Sequence, residues 1–132
     1  MNQQYIAKLE KLNQLLGENI INLLDELGIK HKNCGEYISM ACPIHNSNSP
    51  RSLSIVISQF SPYVNTWSCW SKHCHEKYGK TILGFIHGVL NHKNKLETIN
   101  WTLKFLGIKN INDLEIPSLE ILKKNNLLNS TT

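Results

Sequence analysis

Apolar residues in the first thirty positions recur at intervals of three and four, which is the spacing of one face of a helix. Two such runs are present: Tyr5, Leu9, Leu12 and Leu16, then Ile20, Leu23, Leu24 and Leu27. We expect the first helix to end at Gly17 and the second at Gly28, because glycine readily takes the left-handed conformation that closes a helix. Residues 1–30 are therefore predicted to form a helical segment that packs on the rest of the chain or on a partner.

The hydrophobic period changes to two after residue 36, as in half-buried strands. The alternating stretches are 37–41, 53–58 and 63–70. Turn-forming residues, including Ser49-Pro50 and Ser61-Pro62, separate them. This pattern predicts a small antiparallel sheet.

A helical period returns at residue 82 and continues to Leu106. The first run contains Ile82, Phe85, Ile86, Val89 and Leu90, and the second contains Leu96, Ile99, Leu103 and Leu106. We expect Asn91 and His92 to close the first helix, and Asn94 and Gly107 to bound the second. A further short helix is expected near Pro117 or Ser118, and residues 125–132 are expected to fray.

Two pairs of metal-ligand residues lie at the ends of the predicted strands. Cys42 and His45 are separated by two residues, and 23 residues later Cys69 and Cys74 are separated by four. Four sulfur and nitrogen ligands suit a tetrahedral Zn²⁺ ion, and four protein ligands close its coordination shell. The sequence predicts one structural zinc ion in a zinc ribbon, with His73 and His75 as alternatives to a cysteine ligand on spacing alone.

Disulfide bonds or chance placement could also account for these cysteines. Residues 1–11 are polar and do not resemble a signal peptide, so we expect a reducing, cytoplasmic setting, where cysteine patterns more often bind metal. No apolar run approaches the length of a membrane span. The predicted fold class is α+β, with helices in segments 1–30 and 93–132 flanking a zinc-ribbon domain over 31–92.

The net charge of +4 is unevenly distributed along the chain. Residues 30–80 hold six basic and two acidic residues, whereas the flanks hold eight of each. A basic segment with aromatic residues is typical of single-stranded nucleic-acid binding, although a solvated basic face is the simpler interpretation. The candidate nucleic-acid-binding residues are Arg51, Trp70, Lys72, His73, Lys77, Tyr78 and Lys80. Trp67 lies on the strand face of Cys69 and is expected in the core instead.

Independent catalysis is not expected. A catalytic zinc needs an open coordination position and a nearby base, and Glu76 is the sole acid near the second pair. The close acidic pairs, Asp25 with Glu26 and Asp113 with Glu115, lie in helical or linker contexts and are interpreted as surface charge.

Residues 37–86 resemble the zinc-binding domain of bacterial and phage DNA primases. The resemblance follows chain order: Cys42-Pro43-Ile44-His45, Ser49-Pro50, a strand at 53–58, Trp67-Ser68-Cys69-Trp70, Cys74, Gly79 and an apolar helix at 82–86. The chain departs from the family in having Arg51 as an extra residue and in the four-residue spacing of the second pair, where the family has two.

The resemblance implies that the chain binds a single-stranded DNA template and supports RNA primer synthesis in DNA replication. A separate primase catalytic domain or a helicase would be its partner, and no membrane would be involved. The abundance of Asn, Lys and Ile is typical of a low-GC genome such as that of a phage. The alternative is a zinc-stabilised protein-interaction scaffold within a nucleic-acid complex.

Overall fold

A computed structural model describes residues 3–114 of the chain. The helices are α1 (Gln3–Glu18), α2 (Ile20–Glu26), α3 (Cys74–Tyr78), α4 (Ile82–Leu90) and α5 (Lys95–Leu106), with a 3₁₀ turn at Ile111–Asp113. The strands are β1 (Lys32–Asn33), β2 (Tyr37–Met40), β3 (Leu53–Val56) and β4 (Trp67–Cys69). The α+β class is confirmed, with helices flanking a small antiparallel sheet on both sides in sequence. The helix expected near residue 117 and the frayed end at 125–132 lie outside the described residues.

The four strands form one antiparallel sheet in the order β1-β2-β3-β4. In its centre Ser39 lies opposite Ser54, and Ser54 lies opposite Ser68. Alternation along the strands gives the sheet two different faces. The inner face carries the fully buried Ile38, Leu53, Ile55, Trp67 and Cys69, and the outer face carries Tyr37, Ser39, Ser54, Val56 and Ser68.

Helices α1, α2 and α4 cover the inner face. Leu16 and Leu24 belong to the same buried cluster as the strand residues. Trp67 is fully buried and meets Phe85 of α4 edge to face, with ring centroids 5.5 Å apart, which confirms its expected place in the core. A second, smaller cluster joins α1 to α5 through Leu12 and Leu103. None of the described helices has the length and apolar character needed to cross a lipid bilayer.

The helix ends mostly follow the sequence signals. Gly28 and Gly107 have φ of 71° and 75°, and the N–H after each bonds back to the preceding turn. The Asn94 side chain caps α5 by accepting from the Glu97 N–H at 3.0 Å. The prediction for Gly17 is wrong, because α1 continues to Glu18. Gly17 instead allows close approach of the Asn65 side chain, which a Cβ atom would block.

The strand expected at 63–70 is shorter than predicted, spanning Trp67–Cys69. The residues before this strand form a turn that two side chains stabilise. The Tyr63 N–H donates to Ser61 Oγ, and Thr66 Oγ1 donates to the Tyr63 carbonyl. Asn65 completes the turn with φ of 63°. These local hydrogen bonds compete with strand pairing, so the alternating pattern alone overestimates the strand.

Candidate metal centre

The first pair of ligand residues lies on a loop after β2. The Cys42 N–H donates to Ser52 Oγ at 2.9 Å, and that hydroxyl donates to the Ser49 carbonyl at 3.0 Å. The Ser47 N–H closes a turn onto the Cys42 carbonyl at 3.0 Å. Asn46, in the left-handed region with φ of 53°, reverses the chain after His45. We call residues 42–47 the first knuckle.

The second pair lies between β4 and α3. Cys69 is the last residue of β4, and Cys74 is the first residue of α3. The His73 N–H bonds to the Cys69 carbonyl at 3.2 Å, and His73 has φ of 54°, so the chain turns back toward the sheet. We call residues 69–74 the second knuckle. Met40, two residues before Cys42, pairs with Leu53, and Leu53 pairs with Cys69, so the two knuckles meet at the same end of the sheet.

The four ligand atoms of the two knuckles lie within 4.8 Å of one another and can hold a metal ion. Cys42 Sγ is 3.9 Å from Cys74 Sγ, and His45 Nδ1 is 3.4 Å from Cys74 Sγ and 3.8 Å from Cys69 Sγ. All three cysteines are free, so they form no disulfide with one another. Cys34 is also free, exposed and outside this group.

His45 faces the cysteines with Nδ1, and its other nitrogen has a separate partner. Nε2 lies 3.1 Å from Ser71 Oγ. With Nδ1 as the ligand atom, Nε2 carries the hydrogen and donates it to the serine hydroxyl. A partner of this kind fixes the tautomer and the orientation of a metal-binding histidine. Ser71 was not identified from the sequence, because a serine in a loop carries no spacing signal.

The two neighbouring histidines lie outside this cluster of ligand atoms. His73, His75 and Glu76 form a separate, more exposed group. The Cys69 N–H donates to His75 Nδ1 at 2.9 Å, so this neutral imidazole carries its hydrogen on Nε2. Burial and the nearby charge of Lys80 lower the pKa of His75, which favours the neutral ring. His75 therefore holds the backbone of Cys69 in place.

The three thiols of the cluster perturb one another's ionisation. Burial raises the pKa of the Cys69 thiol, but hydrogen bonds from the backbone N–H groups of Cys74 and Lys72 and from the Cys74 and Cys42 thiols together lower it to about 6. Burial raises the pKa of Cys42, and burial with the neighbouring thiols raises that of Cys74 to about 12. Adjacent thiolates repel one another, so a bound cation is needed to ionise all three at neutral pH.

Only some of the residues predicted to bind nucleic acid line the same groove. Lys72, His73, Lys77 and Lys80 are exposed on or after the second knuckle. Tyr78 is half-buried, and its ring lies 5.4 Å from that of His87 on α4. Arg51 and Trp70 instead line a groove on the outer sheet face.

We call this the sheet groove; it has a volume of about 1120 Å³. Its lining also includes Lys30, Lys32 and Tyr37, which sequence reasoning did not single out. Lys30 and Lys32 were counted in the basic segment, but only the chain path after α2 brings them to the groove. Tyr37 could have been found from its place on the polar face of β2.

Comparison with protein-family models, curated proteins and solved structures found no match for this chain.

Proposed function

We propose that Cys42, His45, Cys69 and Cys74 hold one structural Zn²⁺ ion. Tetrahedral Zn²⁺, with Zn–S of about 2.3 Å and Zn–N of about 2.0 Å, separates two sulfurs by about 3.8 Å and a sulfur from a nitrogen by about 3.5 Å. The observed distances of 3.9 Å between sulfurs and of 3.4 and 3.8 Å between sulfur and nitrogen fit this arrangement. Sulfur and nitrogen donors favour zinc over calcium or magnesium.

The zinc-stabilised sheet is proposed to bind a single-stranded DNA template as a primase-type module. The observation that carries this proposal is the position of Trp70: it follows the metal ligand Cys69 directly, its side chain is 61 % exposed, and it shares the sheet groove with Arg51. Aromatic faces stack on unpaired bases, and basic side chains neutralise phosphates. The resemblance of residues 37–86 to primase zinc-binding domains supports the same role.

The chemical step of primer synthesis is assigned to a separate catalytic domain or subunit. Four protein ligands leave no open position on the zinc ion for water or substrate, so the ion has a structural role. In this proposal the chain holds template DNA next to the partner's active site. A helicase is the second partner expected for such a module.

Oligonucleotide binding with and without zinc tests the proposed function. A fluorescein-labelled 15-mer of mixed sequence is titrated with the full chain, and fluorescence anisotropy is recorded at several salt concentrations. We expect the zinc-loaded protein to bind the single strand more tightly than the matching duplex, with affinity that falls as salt rises. A chelator abolishes binding, and added Zn²⁺ restores it.

Undetectable or salt-independent binding by the zinc-loaded protein would contradict the proposal. The control protein is Asn100→Ala, because Asn100 is exposed on α5 and lies outside both the ligand cluster and the lining of the sheet groove. It should bind one zinc ion and the oligonucleotide as the unmodified chain does.

A protein-interaction scaffold is the alternative, and the connection between β3 and β4 favours it. Phe60 is 99 % exposed there and Tyr63 is 66 % exposed, and exposed aromatic residues of this kind often anchor interfaces. Binding to a purified primase polymerase or helicase subunit separates the two functions. The scaffold function is favoured if Phe60→Ser with Tyr63→Ser abolishes binding to the partner subunit. Replacement of Arg51, Lys72 and Lys77 by alanine should then leave partner binding intact, and the unmodified chain should bind no oligonucleotide.

A further inference from the structure

Trp70 lines the sheet groove, and the edge of its indole ring is hydrogen-bonded to the sheet. Its indole Nε1–H donates to Ser54 Oγ at 3.0 Å, and its backbone N–H donates to the Ser52 carbonyl at 2.7 Å. The side chain nevertheless remains 61 % exposed. A ring fixed in this way loses little conformational entropy when a base stacks on it.

Tyr37 supplies a second aromatic side chain on the same outer face. In the sheet Ser39 lies opposite Ser54, which holds Trp70, and Tyr37 is two residues further along β2. Two residues of a strand cover about 7 Å, so Tyr37 and the indole edge of Trp70 that Ser54 holds are displaced along the strand direction by roughly that distance. Tyr37 is 45 % exposed. The groove therefore offers two neighbouring positions for unpaired bases.

Basic side chains from two separate parts of the chain line the same groove. Lys30 lies in the connection between α2 and β1, and Lys32 is the first residue of β1, the strand at one edge of the sheet. Arg51 comes from the loop between the first knuckle and β3. None of the described residues that line the groove is acidic. The groove is thus complementary to a polyanion that carries flat apolar groups, which describes single-stranded nucleic acid better than an acidic peptide.

We propose that single-stranded DNA lies in the sheet groove, with one base stacked on Trp70, its neighbour on Tyr37, and phosphates near Lys30, Lys32 and Arg51. This inference rests on the proposed function and adds where the strand lies. The helical N-terminal segment then contributes one side of the binding site. The exposed lysines of the second knuckle and α3, Lys72 and Lys77, lie outside the groove lining.

Three variants, one single and two double, distinguish binding in the groove from binding to other basic surfaces. Each is titrated against the 15-mer by fluorescence anisotropy. They are Lys30→Ala with Lys32→Ala, Trp70→Leu, and Lys72→Ala with Lys77→Ala. The matched control is Lys104→Ala with Lys109→Ala, which removes the same charge from exposed positions on and after α5. Zinc content and circular dichroism verify that each variant folds.

The groove variants should weaken binding in two different ways. Removal of Lys30 and Lys32 should reduce the slope of log affinity against log salt by about 1.4, because each phosphate contact on a single strand contributes about 0.7. Trp70→Leu should lower the affinity by about 5- to 150-fold with little change in that slope, because base stacking is lost and charge is not. The Lys72 and Lys77 variant and the control variant each lose two positive charges, which weakens DNA binding equally in both. Apart from that common effect, the affinity of each should change by less than about 3-fold.

The outcomes separate failure of the groove from failure of the proposed function. If the unmodified chain binds and the Lys72 and Lys77 pair is the damaging one, DNA binding stands and the groove assignment is overturned. If Trp70→Leu has no effect, or polyglutamate of equal charge displaces the 15-mer as well as unlabelled DNA does, the groove recognises charge alone and the stacking proposal is overturned. If the unmodified zinc-loaded chain does not bind, the proposed function itself fails.

Discussion

The imidazole of His45 illustrates how single side chains determine the metal centre. Its Nδ1 faces the cysteine sulfurs and its Nε2 faces Ser71, so the two nitrogens have separate roles. The grouping of these four side chains was predictable, because cysteine and histidine spacing reflects metal chemistry. The partner of the histidine was not predictable, because its identification needs the path of the second knuckle.

Ser71→Ala should weaken zinc binding by about 10-fold, at the lower end of the range for groups that orient a metal ligand. The alanine leaves the imidazole Nε2–H without its protein partner while all four ligands remain. Competition against a chromophoric chelator measures the change in affinity. Ser58→Ala, which lies beyond β3, is the control and should bind as the unmodified chain does. Equal affinities in all three proteins would show that Ser71 does not orient His45.

Zinc affinity should rise with pH, because ion binding displaces protons from the thiols. The pKa of Cys69 is lowered to about 6, so this thiol is already ionised at neutral pH. The pKa of Cys42 is raised and that of Cys74 is raised to about 12, so both lose a proton when zinc binds. Between about pH 7 and 8 the logarithm of the association constant should increase by about two per pH unit.

Chelator competition at several pH values, corrected for the chelator's own titration, measures this slope. The same slope is expected for Cys34→Ser, which keeps all the ligands. A slope near zero would mean that the ion does not displace thiol protons and that the cysteine ligands are assigned incorrectly.

At the scale of elements, α4 packs closely on the connection that follows the second knuckle. A Cβ atom at Gly84 would meet the carbonyl oxygens of Tyr78 and Gly79, and one at Gly88 would lie 2.6 Å from Ile44 Cδ1 of the first knuckle. These two glycines therefore let α4 approach the first knuckle and the end of α3. In the sequence they stand out only as poor helix formers, so their role in packing follows from the structure.

Gly84→Ala should destabilise the fold by about 1–3 kcal/mol, although alanine favours a helix over glycine by about 1 kcal/mol. The reason is that the added Cβ meets backbone atoms, which cannot rotate away as a side chain can. Urea unfolding followed by circular dichroism measures the difference. The control is Asn100→Ala on the exposed face of α5, where the helix preference acts alone and stability should stay equal or increase slightly. A stabilised Gly84→Ala protein would contradict the packing account.

The long elements were predictable from the sequence, whereas the shortest ones were not. Helices α1, α4 and α5 extend over two turns or more, so their hydrophobic period is visible. Strand β1 has two residues and helix α3 has five, which is too few for either period to be recognised. Both depend on tertiary contacts: β1 on pairing with β2, and α3 on the second knuckle and α4.

At the scale of the whole molecule, the sheet depends on the junction of the two knuckles. The strands that carry the knuckles have four, four and three residues, so their ladders are short. The metal centre joins the end of β2 to the end of β4 across β3. The candidate ligands lie at one end of the sheet, whereas the helices cover its inner face, so a bound metal ion and the helices would stabilise different parts of the same sheet.

Removal of zinc should lower the melting temperature by about 15 °C or more. Structural zinc contributes its binding free energy to folding. In a domain of this size each 1 kcal/mol of lost stability lowers the melting temperature by about 4 °C, so a loss of several kcal/mol gives a shift of this size. Thermal unfolding with and without a chelator, followed by circular dichroism, measures the shift. Cys74→Ser should have the melting temperature of the zinc-free protein whether or not zinc is added. Cys34→Ser should respond to the chelator as the unmodified chain does. An unchanged melting temperature after verified zinc loss would contradict a structural ion.

The position of Lys30 and Lys32 bears on how the chain can be divided. A fragment that begins at residue 31 would retain every metal ligand, all four strands and α4. It would lack Lys30 from the groove and the α1 and α2 side chains that cover the inner sheet face. Residues 31–92 are therefore not a self-sufficient unit: transferred alone to another protein, they would carry the four candidate ligands without Lys30 and without the helices α1 and α2 that cover the sheet.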